Sequence, residues 1–170
     1  WVIVATRTPT GLRDPAEYLR IAVAFRHGDT LRFGGGGDPS AFWPPGYPAL
    51  LTPFVWAARQ TGGASHAFTA SLVNVVAGTA TIALAGILAQ RWLGPRARNP
   101  AAWLVALCPG LVFWTSTPHT ETAFTPVFLG IILLAGSRDR DVPVPNWALA
   151  ALVVGLAVLF RAPGVIGLAA

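Results

Sequence analysis

The sequence predicts an all-α fold: a polytopic bundle of transmembrane helices carrying a polar first loop on its extracytoplasmic side. Three observations lead there. Hydrophobic residues make up 54% of the 170 residues and charged residues only 11%, and the mean hydropathy of +0.56 is too high for an ordinary soluble domain. Residues 67–90 form an uncharged run long enough, at about 1.5 Å per residue, to cross about 30 Å of hydrocarbon. Arginines collect in short loops between apolar runs, the charge pattern of a multi-pass membrane protein.

The same composition excludes other classes. The pI near 11 raises nucleic-acid binding, but the basic residues, all arginine, are scattered over loops and form no single patch or helical stripe, so that reading is rejected. A lone Cys108 supports neither a disulfide framework nor a metal framework. The chain opens on Trp1, holds no methionine and stops inside the apolar run from Gly164 to Ala170. The expectation is therefore one incomplete transmembrane domain over residues 1–170, truncated at both ends.

In chain order, residues 1–6 read as the outer end of a first helix, and residues 7–66 as the outer loop. Within that loop, Asp14, Pro15 and Glu17 have the pattern of an N-cap, first helical position and capping-box acid. The helix they start is expected to run to His27. Tyr18, Ile21, Ala22 and Phe25 share one face, while Arg13, Glu17, Arg20 and His27 fall on another, as in a helix lying at a membrane interface. Gly34 to Gly37 reads as a flexible tip, because it lacks the strand-turn-helix setting of a phosphate cradle. Pro44, Pro45 and Pro48 are expected to forbid helix until after Tyr47. That makes the FWPPGYP stretch a rigid aromatic turn, followed by a short helix from Pro48 to Gln60 on the bilayer. Trp43, Tyr47, Phe54 and Trp56 would supply an interfacial aromatic belt.

The 67–90 helix places Ser71, Asn74, Gly78, Thr81 and Ala85 three and four apart, a small, mildly polar face suited to close helix packing. Arg91, Arg96 and Arg98 follow with no acid between them, so this loop is expected in the cytoplasm and residues 7–66 outside it. Residues 101–116, kinked at Pro109, then return outward; 123–136 cross back; 147–160 cross again and end outside at Arg161. Arg138 and Arg140, offset by Asp139 and Asp141, lie on the inner side in this scheme.

Sorted by side, Asp14, Glu17, Arg20, His27, His119, Glu121 and Arg161 all fall on outer loops or outer helix ends. Four of them also have a purely structural reading. Asp14 serves as a helix cap, Glu121 suits the positive end of a helix dipole, His119 is a loop residue, and Arg161 is a boundary residue whose head reaches the interface. A guanidinium beside an apolar run is otherwise kept for a partner or a phosphate.

The order of DPAEYLRIA in a first outer loop, FWPPGYPALL, a Pro-kinked CPGLVFWTS followed by TETAF, and GLAVLFRAPG resembles the GT-C superfamily of integral-membrane glycosyltransferases. The resemblance extends to bacterial relatives of protein mannosyltransferases, aminoarabinose transferases and the mannosyltransferases of glycolipid anchors. It implies a hexosyl- or pentosyltransferase, mannosyltransferase-like. Such an enzyme moves sugar from a polyprenyl-phosphate donor to a glycan, lipid or protein acceptor on the extracytoplasmic side of the plasma membrane. It further implies that Asp14, matching the first-loop acid of such enzymes, is the catalytic base. By the same resemblance Glu17, Tyr18, Arg20, Tyr47, His119, Glu121 and Arg161 become substrate-binding candidates. Some members of the superfamily use a divalent ion and others do not, so metal dependence stays open. Two other classes compete: a transporter, with Pro109 and Pro126 as helix interruptions, and a non-catalytic membrane scaffold.

Overall fold

A computed structural model describes residues 13–26, 44–60, 66–135 and 145–160. The described residues are all-helical, with seven α-helices and one 3₁₀ turn. In order these are α1 (Arg13–Arg26), α2 (Gly46–Gln60), α3 (His66–Leu93), the 3₁₀ turn Pro95–Ala97, α4 (Arg98–Ala106), α5 (Pro109–Thr115), α6 (Thr120–Ala135) and α7 (Pro145–Phe160). Residues 1–6, the glycine tip at Gly34–Gly37, Trp43, His27, the Arg138–Asp141 loop and Arg161 lie outside the described residues.

The periodicity of α1 is realised, but its apolar face meets protein. Tyr18, Ile21 and Ala22 are buried, with Phe25 packed beside them, against Tyr47, Leu51 and Val55 of α2. The helix already includes Arg13, so Asp14 lies inside the first turn and does not precede it as a cap.

α2 corrects the expected aromatic turn. It begins at Gly46, two residues before the expected start, so that Tyr47 and Pro48 are helical. Proline is tolerated in a first turn, where its missing N–H has no intrahelical partner to lose. Tyr47, Pro48, Leu51, Val55 and Ala58 form the buried face. Tyr47 is 0% exposed, which removes it from any interfacial belt; Phe54 and Trp56, on the other side of α2, are exposed.

The organising element is α3, with 28 residues and a length of about 42 Å. It is the one helix among the described residues long and apolar enough to cross a membrane. Its predicted small face is the packed one: Ser71, Asn74, Gly78 and Thr81 are buried. Near its end, Gly86 faces α4 so closely that an added Cβ would sit 3.2 Å from the Arg98 carbonyl oxygen. Gly94 then turns the chain with φ +96°, a left-handed backbone that L side chains rarely adopt.

The expected single span over 101–116 is two helices. Cys108, extended at φ −64° and ψ 113°, precedes Pro109 and breaks the run, because proline disfavours α backbone in the residue before it. α4 and α5 have 9 and 7 residues. The spans expected at 123–136 and 147–160 correspond to α6 and α7, of 16 residues each, about 24 Å long.

The threading follows from contacts. Arg91 near the end of α3 donates a hydrogen bond to the Leu133 carbonyl near the end of α6, at 2.9 Å. Asn74, near the start of α3, bonds to the Thr117 carbonyl just before α6 begins. α3 and α6 are therefore parallel, and α4–α5 runs back between their levels. α7 returns along α6, with Val154 and Ala157 packed on Ile131, and ends with Phe160 against the Tyr18–Tyr47 cluster. At that junction a Cβ on Gly46 would lie 2.7 Å from the Leu159 carbonyl oxygen.

Candidate functional site

The end of the bundle where α3 and α6 start gathers most of the polar side chains singled out by sequence. α1 presents Tyr18 and α2 presents Tyr47, their rings meeting edge to face at 88° with centroids 5.3 Å apart. The Tyr47 hydroxyl donates to Asn74 Oδ1 at 2.9 Å. The Asn74 amide donates in turn to the Thr117 carbonyl and, at 3.5 Å, to the Trp114 carbonyl. Ser71, one helical turn before Asn74, donates to the Ser116 carbonyl at 3.2 Å. One helix thus fixes both the second helix and the irregular 116–119 segment, whose backbone would otherwise leave buried carbonyls without donors.

The 116–119 segment sets His119 and Glu121. Thr117 and Pro118 are fully buried and His119 is 7% exposed; the His119 ring tilts over Trp114 with centroids 4.7 Å apart. Glu121 lies in the first turn of α6, where the positive end of the dipole favours its charge. Its carboxylate accepts from the Thr120 hydroxyl at 3.3 Å.

Burial pushes the Tyr47 hydroxyl well above the ordinary tyrosine range. The hydrogen bond to Asn74 pulls the other way without offsetting it, and Tyr18 and Glu121 raise it further. Tyr47 stays neutral and serves as a hydrogen-bond donor, which rules it out as a base at neutral pH.

Tyr18, Tyr47 and Glu121 are brought together, with His119 two residues from Glu121 on the same segment. Glu17 and Arg20 form an ion pair at 2.8 Å along α1, so part of Arg20's charge is already met within its own helix. The Asp14 side chain lies outside what the structure describes, as does Arg161; Phe160, its chain neighbour, packs on the tyrosine cluster. Among the described residues no three His, Cys, Asp or Glu side chains converge on a common point.

Sequence reasoning assigned Asn74 to helix packing; the structure makes it the hub that ties α2, α3 and the 116–119 segment. The available signal was a carboxamide deep inside an uncharged 24-residue run whose other carboxamide, Gln90, is its last residue, a costly placement unless it is hydrogen-bonded.

An apolar groove of about 500 Å³ adjoins the cluster. Leu50 and Phe54 of α2 form one wall, α3 from Thr69 to Ala80 the floor, and Ala123, Val127 and Phe160 the far side. Ala123 and Phe160 also pack in the tyrosine cluster, so groove and polar end share walls. The stretch of α3 involved is about 16 Å long. No protein-family model, no curated protein and no solved structure matches this chain.

Proposed function

We propose that the chain is part of a multi-pass plasma-membrane glycosyltransferase of the GT-C kind, which moves sugar from a polyprenyl-phosphate donor to an extracytoplasmic acceptor. The observation that carries this is the adjacency of the polar end to the apolar groove. A donor with a charged head, a sugar and a long hydrocarbon chain needs a polar seat continuous with an apolar one, and here the two share Ala123 and Phe160. The arginine-rich turn at Arg91–Arg98, at the opposite end of α3, orients the polar end outward by the positive-inside rule. In this reading α3, α4–α5, α6 and α7 are the crossings, the shorter ones accommodated by tilt and local thinning of the bilayer.

In the reaction, Asp14 takes the proton from an acceptor hydroxyl. The hydroxyl oxygen bonds to the anomeric carbon as the carbon–oxygen bond to phosphate breaks, and polyprenyl phosphate leaves with the electron pair. Arg161, with Arg20, offsets the negative charge gathering on that phosphate. Tyr18, Tyr47, His119 and Glu121 shape the sugar seat, and Glu17 holds Arg20 in place. A positioned general base contributes about 10²–10⁴-fold in rate.

Membranes bearing the full-length protein and a labelled polyprenyl-phosphate sugar test this. Label is expected in an envelope acceptor with wild type and at least about a hundredfold less with Asp14→Asn. Unchanged transfer by the variant removes Asp14 as the base, and absence of transfer with every polyprenyl donor sinks the reading.

A further inference from the structure

The opposite end of the bundle carries a second surface that sugar transfer does not use. Arg91, Arg96 and Arg98 are all exposed there. From residue 66 to residue 120 the sequence holds no Asp or Glu, so nothing in α3, the 3₁₀ turn, α4 or α5 neutralises them. Arg91 and Arg98 are both held against neighbouring helices. Arg91 spans to the last turn of α6 through its bond to the Leu133 carbonyl, where unsatisfied carbonyls favour a cation. Gly94 and Pro95 turn the chain, and Arg98 packs alongside Gly86. Exposed apolar groups flank them: Trp92 and Leu93 on one side, Trp103, Leu104 and Leu107 on the other.

From this arrangement we infer that the Arg91–Arg98 end is a docking surface for the headgroup of an anionic phospholipid. Three guanidiniums offer forked donors that match phosphate oxygens. The two exposed tryptophans are the residue type that sits at headgroup depth, and the leucines beside them suit acyl chains. A nucleic-acid surface would have the charge without needing that apolar skirt, and a free-phosphate site would be enclosed, whereas these arginines are open to the outside. The surface belongs to the membrane reading of the chain and does not depend on sugar transfer.

The test uses purified full-length protein in phosphatidylcholine bilayers containing trace spin-labelled phosphatidylglycerol or spin-labelled phosphatidylcholine, with the immobilised fraction of each label measured. Phosphatidylglycerol is expected to be preferred about fivefold, the factor one basic residue near an anionic surface contributes. The preference should fall toward unity in R91Q/R96Q/R98Q and in 1 M salt, where the screening length is about 3 Å. R91K/R96K/R98K, which keeps the charge, should retain most of it, and so should R59Q, a change in the last turn of α2. If the glutamine variant fails to fold, the lysine variant and the salt series on wild type still decide. Equal association of both labels with wild type, a preference untouched by the glutamine changes or by salt, or one lost equally in R59Q overturns the inference. Displacement of the phosphatidylglycerol label by a single-stranded RNA oligonucleotide would reassign the surface to nucleic acid.

Discussion

Replacing Asn74 by leucine is the sharpest perturbation of the polar end, because it keeps the branching and heavy-atom count of the side chain and removes its hydrogen bonds. Asn74 is 0% exposed. It accepts from Tyr47 at 2.9 Å and donates to the carbonyls of Thr117 and Trp114. The Trp114 carbonyl has further donors in the Thr117 N–H and hydroxyl, both at 3.4 Å, so it loses least. Two buried groups are left orphaned, the Tyr47 hydroxyl and the Thr117 carbonyl. At about 1–3 kcal/mol for each unsatisfied buried group, the expected loss is about 2–6 kcal/mol. Tyr47→Phe alone orphans only the Asn74 oxygen and should cost about 1–2 kcal/mol. The double variant leaves the Thr117 carbonyl as the only orphan, so the penalties of the Tyr47 hydroxyl and the Asn74 oxygen both vanish and the two changes should be non-additive by about 2–5 kcal/mol. Reversible unfolding in mixed detergent micelles, followed by helicity, measures all four corners of the cycle. Coupling below about 0.3 kcal/mol, within the additivity expected of independent sites, would refute the hub. So would an N74L variant no less stable than Val76→Leu, a change on the exposed face of α3.

Three further outcomes follow from the packing and the proposed function. Gly46→Ala should destabilise by about 1–3 kcal/mol, because its Cβ meets the Leu159 backbone at 2.7 Å; Gly110→Ala, with nothing within 4 Å of the added carbon, should be neutral or stabilising in the same unfolding assay. With Tyr18 replaced by phenylalanine, Tyr47 is the sole tyrosine of the chain. Its raised pKa gives stability that is fully present below the unfolded tyrosine pKa of about 10 and lost as pH rises above it. Tyrosinate absorbance should therefore stay absent just above pH 10 and appear only together with loss of helicity. Ala77→Trp fills the groove beside Val73 and Val76 and should raise the KM for a long-chain donor about tenfold, a loss of about 1.4 kcal/mol, with less effect on a short-chain analogue.

Periodicity carried most of the fold that sequence made legible. The apolar face of α1 and the small-residue face of α3 were both written in three- and four-residue spacings, and both are buried as those spacings require. Proline was harder to read. Pro48 looks the same in a list of residues whether it blocks a helix or opens one, and only the packing of Tyr47 on Tyr18 shows that it opens α2. Pro109 reads as a kink in the sequence, yet it separates two helices, because Cys108 adopts extended backbone before it. The site was half legible for a related reason. Tyr18, Tyr47 and Glu121 are candidates through the family resemblance, but their convergence depends on α6 running parallel to α3, a tertiary fact without a local signature. Asn74 was seen and assigned to packing, since a carboxamide's hydrogen-bond partners lie more than 25 residues away in sequence.

The proposed chemistry meets its most direct test in the stereochemistry of one product. Full-length protein in membranes would be supplied with a polyprenyl-phosphate sugar carrying ¹³C at the anomeric carbon, and the labelled product examined by NMR. A single displacement assisted by Asp14 gives transfer with the opposite anomeric configuration to the donor. Transfer with retained configuration would contradict Asp14 as a base in a one-step reaction, and label that never leaves the polyprenyl phosphate would contradict the proposed function itself.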